Sequence, residues 1–263
     1  MLHIIVLMKQ VLDPEAPVSA FRIDPEAKRA IPAKGTPPVL SPFDENALEA
    51  AIMIKDAQDA EITVISMGPN LAKAVVKKPL AVGADNLILL EDEAFEDLDS
   101  YSTAPILVAA INKIGEFDII LCGRQAADTD AGQVGSGIAE ILGIPSITVA
   151  QKIKVDNGKV RVERVLSDGY EVVEAPLPIL VTAGSEIGEL RSATLKAIIA
   201  AQQKPVTVWN AQDIGVDVSQ LKRTNLLKLF IPVHEVKCQI VEGEDDAEAG
   251  ENLALKLKEA GIF

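Results

Sequence analysis

The 263-residue chain has little of what most catalytic and metal chemistries are built from: two cysteines, two histidines and 3% aromatic residues. Cys122 and Cys238 cannot form a disulfide framework, and with no CxxC pair or histidine cluster no metal site is expected. No apolar run approaches the roughly 18–20 residues that cross a bilayer, the longest being short stretches such as HIIVLM and PILVTA. The amino terminus lacks the layout of a signal peptide. A soluble chain in a reducing, cytoplasmic compartment is therefore the expectation. Basic clusters are missing as well: 25 Lys and Arg against 39 Asp and Glu leave a net charge of −14. That excludes a nucleic-acid binder, which needs a cationic face to neutralise phosphates.

What is present is apolar content, 48% of residues, enough to bury a core in one large or two modest domains and too much for a disordered acidic tail. The first two-thirds repeats one rhythm. HIIVLM (3–8), EITVISM (61–67), NLILLE (86–91), DIILC (118–122) and SITVA (146–150) are β-branched runs apolar on both faces, the pattern of a buried parallel sheet. Between them Leu48, Ala51 and Ile52 share one helical face, and Val134, Ile138, Ile141 and Leu142 share another. Alternating strands and helices predict right-handed crossovers and an open, mostly parallel, doubly wound α/β sheet of the Rossmann-like, adenine-nucleotide-binding kind. After residue 150, KIKVDNGKVRVERV signals a hairpin turning at Asp156-Asn157-Gly158. YEVVEAPLPILVTA continues as strand, with Pro176 and Pro178 marking an edge or a break. Residues 186–203 read as helix, with Leu195, Ile198, Ile199 and Gln202 on one face, and a terminal helix begins at about Glu251, with Leu253, Leu255 and Leu257 as its apolar content. The boundaries expected are a body over 1–210 and a carboxyl-terminal arm over 211–263.

The strongest local signal is GRQAADTDAGQVGSG (123–137), a glycine-rich turn between a strand and a helix beginning near Gly132. In open α/β sheets such turns lie at the carboxyl ends of strands, where helix amides and the helix dipole hold phosphate. Its G-x-x-G-x-G spacing reverses the dinucleotide fingerprint and no Walker lysine follows, so a tight turn without a ligand is the competing reading. SPFDENALEAA from Ser41 reads as a capped helix start, with Ser41 as N-cap, Pro42 in the first turn and Asp44 at the third position. Met67-Gly68-Pro69 opens another segment, and the three strand ends near 41, 67 and 123 are placed to meet in one crevice. Catalytic groups are few. His3 and His234 have no common site, there is no G-x-S-x-G elbow, Cys122 reads as a buried inert thiol, and EDEAFEDLD and EGEDDAE read as solvated acidic faces.

Along nearly its whole length the chain resembles the β subunit of electron-transfer flavoprotein. The matching stretches run in order: KQV at Lys9, SPF at Ser41, SMGP at 66, VGAD at 83, GRQAADTD at 123, RVLSDGYE at 164, PILVTA at 178, ELRSATL at 189 and VWNAQDIGVD at 208. The resemblance implies a redox subunit paired with a larger α subunit that carries FAD, passing electrons between a flavin dehydrogenase and an acceptor. It also implies a nucleotide held by positions matching Leu7, Ser41, Pro42, Phe43, Asp44, Met67 and the run Gly123, Arg124, Gln125, Ala126, Ala127, Asp128, Thr129, Asp130, Ala131, Gly132, Gln133 and Val134. It makes 186–204 a recognition loop that docks through Leu195, with Ile198 and Ile199 beside it, and it gives the acidic tail with its helix to the α subunit. No residue is expected to act as a catalytic acid or base.

Conventional members hold a structural AMP and place Asn-Gln-Thr at the phosphate turn, where this chain has Gly132, Gln133 and Val134. The Q-V-G run resembles the electron-bifurcating branch, in which this subunit binds FAD, takes hydride from NADH and splits the electrons between ferredoxin and the α-subunit FAD. FAD is therefore expected in this chain, with AMP the alternative. Ala200 and Gln203 replace lysines usual near the end of the recognition loop, and Tyr170 stands where a glycine usually follows Asp168-Gly169. An adenine-nucleotide sensor of the universal-stress type would predict bound ATP or AMP and no α partner; an NAD-dependent dehydrogenase is disfavoured by the missing fingerprint.

Overall fold

The computed structural model describes residues 1–17, 19, 21–32, 34–232 and 238–262; His234 lies outside them. The chain divides into two compact units, Met1–Leu227 and Lys228–Phe263.

The first unit is built on strands β1 (Leu2–Leu7), β2 (Gln10–Val11), β3 (Phe21–Asp24), β4 (Arg29–Pro32), β5 (Val39–Leu40), β6 (Ala60–Gly68), β7 (Asn86–Glu91), β8 (Ile119–Gly123), β9 (Ser146–Asp156), β10 (Lys159–Leu166), β11 (Gly169–Pro176), β12 (Ile179–Ala183) and β13 (Val206–Trp209). Its helices are α1 (Pro42–Ala57), α2 (Lys73–Val76), α3 (Lys78–Val82), α4 (Ser100–Ile114), α5 (Val134–Leu142) and α6 (Leu195–Ala201). Nine strands form one sheet in the order β11-β10-β9-β12-β8-β1-β6-β7-β13. From β9 to β13 every pairing is parallel, while β10 and β11 add an antiparallel extension. The doubly wound expectation holds. Successive side chains alternate between two cores: Ile4, Val6, Ile62 and Val64 meet α1 residues such as Leu48 and Ala51, whereas Ile5, Leu7 and Ile65 meet α4 residues such as Ile106 and Ile111.

The hairpin forms at the expected place. Asn157 (φ 50°) and Gly158 (φ 74°) turn β9 into β10, both in the left-handed region that a type I′ turn requires. SITVA and KIKV join into one strand, β9, bent by a register shift beside Val149. The proline pair separates β11 from β12, as read.

Other expectations are corrected. The body runs on to Leu227 instead of ending at 210, because Ile214 and Val218 are buried in the same core as α4. The helix expected over 186–203 is only α6; a 3-10 turn occupies Ser185–Ile187, Gly188 takes φ 117° and no regular element follows before Thr194, whose hydroxyl caps α6 by accepting from the Ala197 amide. Ile141, placed on the buried face of α5, is exposed, whereas Ile138 and Ala139 are buried. In the second unit the helix α7 (Asp246–Glu259) starts five residues before Glu251, since Asp245 accepts from the Glu248 amide and Asp246 and Glu248 suit the positive end of the helix dipole. No helix among the described residues is long and apolar enough to cross a membrane.

Candidate cofactor site

From β1 the chain winds outward through β6 and β7, then crosses back to place β8 on the other side of β1. That reversal is a topological switch point, and the carboxyl ends of the strands beside it open a crevice. The crevice is a cavity of about 570 Å³, within the roughly 300–1,000 Å³ of sites for organic ligands.

Its floor is made by the first turn of α1, where Ser41 and Asp44 do something other than the expected capping. The Ser41 hydroxyl makes no bond to its own helix; it accepts from the Ala127 amide at 3.3 Å. Asp44 accepts from the Lys9 amide at 2.8 Å and the Gly123 amide at 2.9 Å, which staples the exits of β1 and β8 to one carboxylate. Gly123 is required there, because a Cβ would lie 2.6 Å from the Phe43 carbonyl carbon. Burial pushes the Asp44 carboxyl up to about 7, against the pull of those two amides and of the Lys9 charge.

The glycine-rich turn forms one wall. Ala126 C=O accepts from the amides of both Thr129 and Asp130, the Asp130 carboxylate accepts from Gln125 Nε2 at 2.7 Å, and Gly132 takes φ 62°. The first intrahelical bond of α5 runs from Gly137 to Gln133, so the amides of Val134, Gly135 and Ser136 open the helix without partners there. No side chain caps this end and no acid sits in its first turn. Gly135 allows the close approach, since a Cβ would lie 2.9 Å from Cys122 Sγ. Lys9 Nζ pairs with Asp128 at 2.7 Å. Arg124 lies over the Phe43 ring at 4.7 Å with its buried Nε lacking a partner.

Of the expected residues, Leu7, Asp44, Met67, Gly123, Arg124, Gln125, Ala126, Asp128, Thr129, Ala131, Gly132, Gln133 and Val134 line the cavity. Ser41, Pro42, Phe43, Ala127 and Asp130 are not among its lining residues. The opposite wall escaped the sequence reading: Phe95, Asp97, Leu98, Asp99, Ser100, Thr103 and Leu107, beyond the end of β7, with Ile65 beside Met67. EDEAFEDLD keeps Glu93, Glu96 and Asp97 exposed, as a solvated run would, but does more. Phe95 is buried, Asp92 caps the turn that holds it, and Asp99 caps α4 while accepting from Thr224 Oγ1. The Thr224 and Ser102 hydroxyls hold Asp99 below the ordinary carboxylate range. The signal available was position, since the end of β7 borders the same crevice.

His3 lies at the opposite, amino-terminal end of the sheet with its ring nitrogens against Glu116 C=O and Thr63 Oγ1, away from any cavity chemistry. Burial pushes the Cys122 thiol up, as befits an inert core group. Leu195, Ile198 and Ile199 are 73%, 43% and 57% exposed, while Ala201 is the buried residue of α6.

The description of the electron transfer flavoprotein domain matches residues 31–214. The chain is 41% identical to the electron transfer flavoprotein subunit beta of Thermoanaerobacterium thermosaccharolyticum, over the full length of both. It is 38% identical to the caffeyl-CoA reductase-Etf complex subunit CarD of Acetobacterium woodii and 35% identical to the acryloyl-CoA reductase electron transfer subunit gamma of Anaerotignum propionicum, again over both full lengths. A chain matched from end to end in this way, with the same strand-end crevice its resemblance implied, belongs to the electron transfer flavoprotein family, among its beta subunits.

Proposed function

We propose that this chain binds FAD in the switch-point cavity and serves, with an α subunit carrying a second FAD, as the NADH-oxidising half of an electron-bifurcating complex. The observation that carries the reading is the extent of the cavity. The glycine-rich turn and the α5 amides suffice for the phosphate of an AMP, yet the cavity, about 570 Å³, is also lined by the apolar side chains of Leu7, Ile65, Phe95, Leu98 and Leu107. A flat ring system suits such walls.

The residues fit a dinucleotide. The unpartnered amides of Val134, Gly135 and Ser136 and the small residues Ala126, Ala131 and Gly132 would hold the pyrophosphate. The buried Arg124 Nε offers one further donor. When bound, FAD supplies hydride acceptance and one-electron release; the chain supplies orientation, exclusion of water and a fixed electrostatic setting. Asp44 is committed to two backbone amides and burial holds the Cys122 thiol protonated, so neither is assigned a catalytic role.

Electrons would pass one to ferredoxin and one through the α-subunit FAD to a dehydrogenase. The reductase complexes named for two relatives make an acyl-CoA-type partner the reading of choice. The exposed Leu195, Ile198 and Ile199 would dock on that partner, and the second unit would grip the α subunit. The test is to purify the chain with its α subunit, release ligands with acid, and quantify FAD and AMP by chromatography. Two FAD per heterodimer support the proposal, and NADH-dependent ferredoxin reduction is then the assay to run. One FAD with one AMP makes this a conventional carrier and overturns it; AMP or ATP without flavin returns the nucleotide-sensor reading.

A further inference from the structure

The exposed ridge on α6 poses a physical problem. A seven-residue helix is far below the length that is stable by itself in water, and α6 buries only Ala201 among its residues. It is held from both ends: just beyond it Lys204 Nζ donates to Leu80 C=O at 3.1 Å and to Ala84 C=O at 2.6 Å, and ahead of it the segment leading in is tied to α1. The Arg191 amide donates to Glu49 Oε2 at 3.0 Å, its Nε reaches both Glu49 oxygens at 3.1 and 3.2 Å, and its Nη2 donates to Glu49 Oε1 at 2.8 Å. Nη1 donates to Asp56 Oδ2 at 2.8 Å. Asn46 Nδ2 donates to Gly188 C=O at 2.6 Å, fixing the start of the same segment. All three anchors stand on α1. Glu49 is only 8% exposed, and Arg191 is its cationic partner in a bidentate fork that a lysine cannot reproduce.

We propose that Arg191 is the positioning residue of the docking surface: clamped to Glu49 and Asp56, it fixes α6 so that Leu195, Ile198 and Ile199 stand as a preformed apolar ridge. The inference rests on the reading of that ridge as a partner contact. A ridge ordered in advance spares the complex the entropy of ordering it on encounter, so loosening the clamp should weaken docking while leaving electron transfer within the formed complex intact.

The experiment uses the heterodimer and a purified flavin-dependent acyl-CoA dehydrogenase as the probe partner, with R191K, E49Q and L195A compared. Amide hydrogen exchange reports the order of 195–201, and steady-state kinetics separate KM from kcat. R191K and E49Q keep polar groups at both positions, which guards against simple misfolding; unchanged exchange in β1, β6 and β8 verifies it. Expected are at least tenfold faster exchange across 195–201 in both variants, a several-fold higher KM for the dehydrogenase, and an unchanged kcat. L195A should raise KM without altering exchange, because Leu195 is exposed. A raised KM in L195A beside an unchanged KM or unchanged exchange in R191K and E49Q overturns the positioning role. An unchanged KM in L195A refutes the docking reading itself and takes the proposal with it.

Discussion

Replacing Asp44 by Asn tests whether the floor of the cavity is electrostatically what its geometry implies. The carboxyl titrates at about 7 in the folded chain and near 3.8 when unfolded, chiefly because burial disfavours the charged form. Between those values the folded state holds a proton that the unfolded state has released, so stability falls as pH rises from about 4 to about 7. Roughly three pK units at 1.36 kcal/mol each make the loss about 4 kcal/mol. Asn cannot ionise and removes that slope. It also offers one carbonyl oxygen where two amides, of Lys9 and Gly123, now meet two carboxylate oxygens. One amide would face an NH₂ group, at a cost of about 1–3 kcal/mol independent of pH.

The two stability curves should therefore cross. Below about pH 4, D44N is the less stable by the lost hydrogen bond; above pH 7 it equals or exceeds the parent chain. Urea denaturation of the cofactor-free chain at half-unit steps from pH 4 to 8 measures the difference directly, and every other titrating group cancels in it. A difference constant across that range would refute the assignment of a buried, proton-binding carboxyl to this position.

Two further substitutions separate the cavity from the rest of the sheet. In G135A the new Cβ would sit 2.9 Å from Cys122 Sγ and 3.0 Å from Thr182 Cγ2, so about 1–3 kcal/mol of overpacking should appear as a lower Tm, together with fewer moles of FAD retained per heterodimer. G158A forces a side chain onto φ 74° in the β9–β10 turn and should cost about 1–2 kcal/mol, with cofactor content measured by absorbance unchanged because the turn lies far along the extension.

What could be read in the sequence follows from how locally each feature is determined. The central strands announced themselves because burial on both faces demands β-branched runs, and Asn157-Gly158 because few residues tolerate two consecutive left-handed positions. The short edge strand β13, VTVW, went unread: four residues half exposed carry no periodicity, and its pairing with β7 is set from more than a hundred residues away. Helical spacing of Leu195, Ile198 and Ile199 predicts a longer helix, but Gly188 and Arg191 are hydrogen-bonded to side chains of α1, a tertiary constraint that spacing does not encode. Ser41 and Asp44 match a capping pattern, and local rules could not show that the Asp44 carboxylate is diverted to the exits of β1 and β8 and the Ser41 hydroxyl to the glycine-rich turn. The far wall of the cavity was hidden for the opposite reason. EDEAFEDLD has the composition of a solvated run, and only its position after β7 buries Phe95 and sets Asp92 and Asp99 to cap the turn and the helix that follow them.

The helix α1 shows how one element can serve both ends of this arrangement. At 100° per residue, Asp44 falls on the side shared by Leu48 and Ala51, which packs on the sheet, whereas Asn46, Glu49 and Asp56 fall on the opposite side. The inner side therefore ties together the strand exits that shape the cavity, and the outer side holds the segment that presents the apolar ridge. Both attachments are made by carboxylates and an amide on the longest helix of the first unit. A packed helix deforms little along its axis, so the separation between cavity and ridge is set by the fold and not by loop conformation. For an electron carrier this matters more than for a hydrolase, because the distance between redox centres across a docked interface must be reproduced each time the partner binds. Fixing the ridge to the same helix that floors the cavity would meet that requirement while leaving the exposed Leu195, Ile198 and Ile199 to contact the proposed partner.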